Sequence, residues 1–280
     1  TNWIVPNHAD DYLQVINKTV IAIEAALISL EILLMIVILK RIPVLKRTMK
    51  EKRKEYYHFL RSFIESSQEA YSFRFKKLNQ YQNFLRFLST DLAVFYYAFF
   101  SWRKKRRVVP LNSFTYHKNG EYLGVFIMIV HALAIEIIAV HFLIMQFSHL
   151  LAWIVTAFDI YALLFVIADY QAIRISPVIL DEKGLHVQKG LRFHAVIPYE
   201  KIESMEVNQE EAKAIATNKA AFDLTLSGLE SQKAQYKLTL KEPILAYSVF
   251  GIRKNITSLY ITVDEPKLFE ESLHQKLKGC

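Results

Sequence analysis

Long apolar runs alternate with charged segments along the first 175 residues of the chain. Three runs, at residues 19–39, 122–147 and 150–170, are long enough to cross a hydrocarbon core of ~30 Å as helices rising about 1.5 Å per residue. Only Ser148 and His149 separate the second run from the third. The pattern therefore predicts one membrane helix and, much later in the chain, an antiparallel transmembrane hairpin.

A fourth apolar stretch, residues 87–102, is shorter and rich in aromatic side chains, which favour the membrane–water interface. Arg86 precedes it and five consecutive basic residues, 103–107, follow it. We expect a re-entrant or interfacial helix with both ends in the cytoplasm. A full crossing, giving four membrane helices instead of three, is the alternative.

Residues 50–83 are highly charged, lack proline and glycine, and carry apolar side chains at helical spacing. This pattern predicts a long amphipathic helix. It is either a connector packed on the soluble part of the protein, or a lid or partner-binding helix along the membrane.

Basic residues flank the apolar runs in a way that predicts their orientation. Eight lie between residues 40 and 54, after the first run, and the 103–107 cluster precedes the hairpin. Positively charged flanks stay in the cytoplasm. We therefore expect a multi-pass protein of the cell (cytoplasmic) membrane, with the hairpin turn outside and everything after Arg174 inside.

After residue 176 the apolar positions follow a period of two, which predicts β-strands. The predicted strands are 178–180, 184–188, 192–198, 202–207, 221–226, 236–240, 245–250 and 258–263. An amphipathic helix at 266–278 closes the chain. The expected architecture is thus an α-helical membrane domain, 1–175, and a cytoplasmic domain, 176–280, that forms a small antiparallel β-barrel of pleckstrin-homology-like type with a terminal helix.

Three segments carry a resemblance to a known family. SPVILDEKGLHVQKGLRFHAVIPYEKIESMEV and LKEPILAYSVFGIRKNITSLYITVDEPKLFEESL resemble the tail of a bacterial family of polytopic membrane proteins with a C-terminal pleckstrin-homology-like domain. The hairpin, YLGVFIMIVHALAIEIIAVHFLI with DIYALLFVIADYQAI, is similar to the membrane part of that family. The resemblance covers about residues 114–280. It implies the architecture and carries over no catalytic residue.

Composition agrees with a membrane protein. Hydrophobic residues make up 52% of the 280 positions and charged residues 22%, with a net charge of +8. Because the basic residues flank apolar runs and no recognition motif accompanies them, we expect no nucleic-acid partner. The single cysteine, Cys280, excludes a disulfide framework and a cysteine-based metal site within one chain. The sequence also lacks a Walker A motif, a GxGxxG fingerprint, an HExxH motif and a nucleophile elbow.

Ionisable side chains interrupt the hairpin, where each costs about 2.5–3.5 kcal/mol on insertion scales. Counted from the cytoplasmic end, Glu136 lies ~21 Å deep and Asp159 ~18 Å deep. Two facing carboxylates in a low dielectric must share a proton or a cation. The remaining candidates for this metal or proton site are His131, His141, Asp91 and Asp169.

The chemistry of this candidate site leaves alternatives open. Imidazole with carboxylate suits a divalent metal, Zn or Fe. His131, Glu136 and His141 are spaced by five residues, so that one helix cannot direct all three at one ion. Asp91 could instead cap a helix at Leu92. A structural network of buried polar groups is the alternative for the whole set.

Three functions follow from these features. We favour an integral membrane binding or regulatory protein that has a cytoplasmic pleckstrin-homology-like domain and a buried acidic and histidine site in the membrane. Its expected partners are the lipid bilayer, a protein bound by the soluble domain, and further copies of itself. The alternative is a small intramembrane metalloenzyme that acts on a lipid or another apolar substrate. An ion or proton carrier would require an oligomer.

Overall fold

The computed structural model describes residues 9–71, 82–104, 112–226, 228, 232–248 and 252–278. Cys280 lies outside these ranges. The helices are α1 Ala9–Glu55, α2 Phe59–Ala70, α3 Gln82–Phe95, α4 Tyr122–Met145, α5 His149–Ile175, α6 Ala212–Thr217 and α7 Pro266–Lys278. A π-helical turn, Tyr96–Phe100, continues α3.

Helices α4 and α5 form the predicted hairpin. By length and composition, each helix could cross a membrane. In the most apolar 18-residue segment of each helix, 0% of α4 and 11% of α5 is buried within the protein. Ser148 caps α5 by accepting a hydrogen bond from the Leu151 amide at 3.3 Å. Next to the turn, His141 Nδ1 lies 2.7 Å from Thr156 Oγ1, a contact that joins the two helices.

The segment predicted as one helix over 50–83 is divided. Helix α1 includes the first apolar run, 19–39, and continues to Glu55, and α2 begins at Phe59. Between them His58 has an extended backbone and turns inward, where its Nε2 lies 2.8 Å from the Pro177 carbonyl oxygen. This contact accounts for the break. Residues 72–81 of the predicted helix lie outside the described ranges.

The second half of the chain forms a sheet of eight strands. They are β1 Ser113–Phe114, β2 Val178–Leu180, β3 Leu185–Lys189, β4 Phe193–Ile197, β5 Ile202–Val207, β6 Ala221–Asp223, β7 Tyr236–Ser248 and β8 Arg253–Ile261. The order is β1-β2-β3-β4-β7-β8-β6, and β5 also pairs with β7. Since β1 precedes the hairpin and pairs with β2, the sheet holds the chain on both sides of the hairpin.

The prediction of an antiparallel barrel is wrong. The sheet is open and mixed, with β6 parallel to β8 and with β1 and β6 at opposite ends. The predicted strands 236–240 and 245–250 are joined in the single strand β7, whose register shifts between Thr239 and Ile244. Pro243 lies in this shift and has no amide hydrogen to donate. One half of β7 pairs with β5 and the other with β4, so the sheet branches and does not close.

Two apolar cores hold these layers. The larger lies inside the sheet and is covered by α7, where Phe269 packs edge-on against Phe114 with ring centroids 5.3 Å apart. The smaller joins the helices, and includes Leu60 of α2, Tyr97 of the π-helical turn and Ala172 of α5. Leu191, from the turn between β3 and β4, also belongs to the smaller core and thereby connects the helices to the sheet.

Candidate functional site

Asp169, near the end of α5, joins the α4–α5 hairpin to the sheet. Its Oδ1 accepts hydrogen bonds from the Leu191 amide at 2.9 Å and from Arg192 Nε at 3.2 Å. Its Oδ2 lies 2.9 Å from Arg192 Nη2 and accepts a bond from the Tyr122 hydroxyl at 3.3 Å. The carboxylate therefore connects α5, the start of α4 and the β3–β4 turn. We call Asp169, Leu191, Arg192 and Tyr122 the clamp.

Gly190 leaves room for the clamp. Its φ of +55° lies in the left-handed region that glycine adopts without strain. A Cβ at this position would lie 2.1 Å from Asp169 Oδ1. Glycine is therefore required both by the turn and by the close approach of the carboxylate.

The clamp also sets the charge of its surroundings. Burial lowers the pKa of Arg192, but the Asp169 carboxylate, together with Tyr122 and Tyr116, more than offsets this effect and raises the pKa. Burial, reinforced by the charge of Asp169, raises the pKa of the nearby Tyr116 hydroxyl. Tyr116 accordingly stays neutral and donates a hydrogen bond to the Gln188 carbonyl oxygen at 2.6 Å.

A second polar cluster lies between the helices and the sheet. In β3, Leu185 and Val187 point into the sheet core, while His186 and Gln188 point to the opposite face and are also buried. His194 of β4 lies on this opposite face, stacked on Tyr247 with ring centroids 5.1 Å apart. The sheet thus presents a polar, histidine-bearing face to the helices.

Helices α2 and α3 cover this face with basic groups. The His186 ring meets Tyr57 edge-on, with 5.3 Å between ring centroids, just before α2. The Arg86 guanidinium of α3 lies 5.2 Å from the centre of the Tyr247 ring, at cation–π distance. We call His58, His186, His194, Arg61 and Arg86 the histidine interface.

All three histidines of this interface favour the neutral form. Burial lowers the pKa of His58 to about 4, and the nearby His186 and Arg61 add to the effect. Burial, with Arg61, His58 and Arg86 nearby, lowers the pKa of His194 well below 6.5. Burial also lowers the pKa of His186, although Asp181 acts in the opposite direction.

The histidine interface is incompletely satisfied. Asp181 Oδ2 lies 3.0 Å from His186 Nε2, within ion-pair distance, but the ring nitrogen does not meet hydrogen-bond geometry. Among the described residues, the Tyr97 hydroxyl and the Gln188 side chain are buried in the same contact. The helices therefore meet the sheet through polar groups as well as through the smaller apolar core.

The predicted membrane site is only partly assembled. Asp169 lies in the clamp, and the Tyr161 hydroxyl donates to Asp91, which links α3 to α5. His141 bonds Thr156 at the hairpin turn. His131 Nδ1 lies 3.2 Å from the Ile127 carbonyl oxygen of its own helix. These four side chains have separate partners.

Residue counting from the His141–Thr156 contact places Glu136 and Asp159 at similar heights in the hairpin. They are five and three residues from this contact along their helices, so their levels differ by about 3 Å. Glu136 is exposed and Asp159 is half-buried. Within the described ranges, no three His, Cys, Asp or Glu side chains are grouped in a way that could hold a metal ion. A site for Zn or Fe, or for a shared proton, stays a prediction.

The histidine interface was not predicted from the sequence. A signal was present in LHVQK and FHAVI, where histidine or glutamine alternates with apolar residues in strands that have both faces buried. The second face is covered by helices whose residues lie more than a hundred positions earlier in the chain. The strand sequences alone do not indicate this cover.

Comparison with known protein families, with curated proteins and with solved structures finds no match for this chain. The class of the protein therefore follows from its fold. It combines helices, two of them exposed, apolar and long enough to cross a membrane, with a separate mixed β-sheet domain.

Proposed function

We propose that the chain is an integral membrane binding or regulatory protein. In this proposal the hairpin crosses the cell membrane more than once, with α1 providing a further span, and the C-terminal sheet domain lies in the cytoplasm. There the sheet domain binds a protein partner, and the membrane part fixes its position.

One observation carries the proposal. Helix α5 runs without a break from an exposed apolar segment into buried contacts at Ala168, Ala172 and Ile173. The clamp fixes its end to the β3–β4 turn through Asp169. A continuous helix attached to the sheet in this way supports a function in which anchoring and orientation of the sheet domain matter.

The basic residues support the cytoplasmic placement. Arg174, in the last turn of α5, donates hydrogen bonds to the Ser101 and Trp102 carbonyl oxygens at 3.2 and 3.1 Å. Arg103 and Lys104 directly follow Trp102 in the chain, and both are exposed. A concentration of cations at the sheet end of the hairpin agrees with positively charged flanks on the cytoplasmic side.

Two exposed apolar side chains on the sheet domain are positions at which the binding role can be tested. Val207, at the end of β5, is 68% exposed, and Ile252, just before β8, is 64% exposed. They lie near opposite ends of β7, and each is a separate position and not part of one apolar patch.

Two single-cysteine variants test the topology, in a chain with Cys280→Ser. A membrane-impermeant maleimide added to intact cells should label Ser148→Cys, at the hairpin turn, and should label Glu203→Cys, on β5, only after the membrane is opened. Labelling of both from outside, or recovery of the chain in the soluble fraction, would contradict the proposal.

The binding role is tested by photo-crosslinking in cells. A photoreactive amino acid at Val207 or Ile252 should give a discrete adduct with another protein, whereas the same group at Glu182, in the β2–β3 turn, serves as the matched control. If neither apolar position gives an adduct beyond that of the control, the sheet domain does not bind through these side chains and the binding role fails.

A further inference from the structure

One side of α3 and the π-helical turn is apolar and exposed. We call this the aromatic face, and it consists of Phe84, Leu88, Phe95, Phe99 and Trp102. Within α3, at 100° per residue, Phe84, Leu88 and Phe95 fall within about 40° of one another around the helix axis, and the half-buried Asp91 falls in the same sector. The side chains of the aromatic face are 38% to 59% exposed. The face is therefore apolar except at Asp91, which accepts a hydrogen bond from the Tyr161 hydroxyl.

The opposite side of the same helix is buried in protein. Ala93, Val94 and Tyr97 are fully enclosed, packed in the core shared with α2 and α5. The helix is accordingly fixed in rotation, and the aromatic face cannot turn inward. A soluble surface rarely carries an apolar stripe of this length.

Contacts at both ends place the aromatic face at the base of the hairpin. Near one end, the Arg86 guanidinium lies over the Tyr247 ring of β7. At the other, Arg174 of α5 binds the carbonyl oxygens of Ser101 and Trp102. Both ends of this helical segment thus lie near the sheet domain. Asp91, in its middle, contacts Tyr161, which lies closer to the hairpin turn along α5. The helix that carries the aromatic face therefore lies beside α5 at the sheet end of the hairpin.

Polar groups at the edge of the face suit the membrane–water interface. Lys104 Nζ donates to the Tyr96 hydroxyl at 2.6 Å and lies 4.4 Å from the centre of the same ring. The Trp102 indole donates to the Ala98 carbonyl oxygen. Tryptophan, tyrosine and flanking basic residues are enriched at this depth, where rings meet acyl chains and cations meet anionic headgroups.

We propose that the aromatic face lies in the interfacial layer of the bilayer, on the side that holds the sheet domain, and is a further membrane contact in addition to the hairpin and α1. A contact at the level of the headgroups restricts tilting of the sheet domain relative to the membrane plane. This inference rests on the proposed membrane anchoring, and it commits α3 to the interface and not to a full crossing.

Tryptophan fluorescence of the full chain in proteoliposomes tests the proposal. The chain has three tryptophans, so Trp3→Phe with Trp153→Phe leaves Trp102 as a native reporter on the aromatic face. A second reporter is Phe95→Trp in a chain whose three tryptophans are replaced by Phe. Trp153 alone reports the hairpin, and Ile252→Trp alone is the solvent-exposed control on the sheet domain.

Lipids brominated near the headgroup should quench Trp102 and the tryptophan at position 95 more than lipids brominated near the chain ends do. Aqueous acrylamide should quench the fluorescence of the tryptophan at position 252, whereas brominated lipids should leave that fluorescence unchanged. Quenching of Trp153 by brominated lipids with no quenching at positions 95 and 102 would overturn the aromatic-face proposal and leave the anchoring intact.

Other outcomes are equally decisive. If neither brominated lipid nor acrylamide quenches positions 95 and 102, protein covers the face, either another part of this chain or a second copy, and the proposal fails. Stronger quenching of both positions by lipids brominated near the chain ends would place α3 deep in the membrane and overturn the interfacial placement. Absence of lipid quenching at Trp153 would instead refute the membrane anchoring itself.

Discussion

Replacing Asp169 by asparagine should weaken the connection between hairpin and sheet. The substitution keeps the size of the side chain, and its carbonyl oxygen can still accept from the Leu191 amide, but it removes the charge that faces Arg192. The Asp169 side chain is 9% exposed and that of Arg192 is 36% exposed. The pair is therefore neither fully buried nor a surface pair.

These exposures set the expected magnitude. Removing one partner of a fully buried ion pair costs about 3–5 kcal/mol, whereas an exposed pair contributes about 0–1 kcal/mol. Because solvent reaches Arg192 and screens its charge, we expect Asp169→Asn to lower the free energy of unfolding by about 2 kcal/mol.

Denaturant unfolding of the full chain in mild detergent measures this change. Asp159→Asn, in the same helix but outside the clamp, is the matched control and should cause no comparable loss. In a double-mutant cycle with Arg192→Met, the two clamp substitutions should be less than additive, since each removes the same interaction. Equal stability of Asp169→Asn and Asp159→Asn, or strict additivity in the cycle, would refute the clamp.

Two further predictions use the same unfolding measurement. Gly190→Ala combines a positive φ with a clash against the side chain at position 169, so it should cost about 1–3 kcal/mol; no loss would show that the turn is not constrained. The unfolded state should protonate His58 near pH 6.5, but the folded state only near pH 4. The contribution of the neutral, buried His58 to the free energy of unfolding is therefore complete above pH 6.5 and decreases as the pH falls from 6.5 to 4. Between pH 7 and pH 5 this decrease is about 2 kcal/mol. His58→Gln should flatten this dependence, and the exposed His274→Gln should not; an unchanged profile in His58→Gln would contradict the assignment.

The sequence predicts elements best where one local rule decides the structure. The hairpin follows from two uniformly apolar runs that meet at Ser148, a residue that caps the second helix. Helix α7 matches its predicted bounds, 266–278, because helical spacing is undisturbed there, and β5 matches 202–207 although its register shifts between Ile202 and Ser204.

Elsewhere tertiary contacts override the local pattern. Strand β7 continues past Pro243, which the sequence marks as a break, because β8 pairs with both halves of β7. The predicted long amphipathic helix breaks at His58 because this side chain reaches Pro177. Neither partner can be identified from neighbouring positions.

The candidate site shows the same limit. Asp169 is conspicuous in the sequence as a carboxylate near the mouth of an apolar run. Its partners, Leu191 and Arg192, follow more than twenty residues later in a turn whose position depends on sheet pairing. The sequence therefore indicates that Asp169 needs a partner but not that the partner joins the α4–α5 hairpin to the sheet.

The rigid connection between hairpin and sheet domain is tested most directly by a distance between spin labels. In the Cys280→Ser chain, labels at Phe158, on the exposed side of α5, and at Glu203, on β5, should give one narrow distance distribution in lipid bilayers, and Asp169→Asn should broaden it. A broad distribution in the parent chain, unchanged by Asp169→Asn, would contradict the account.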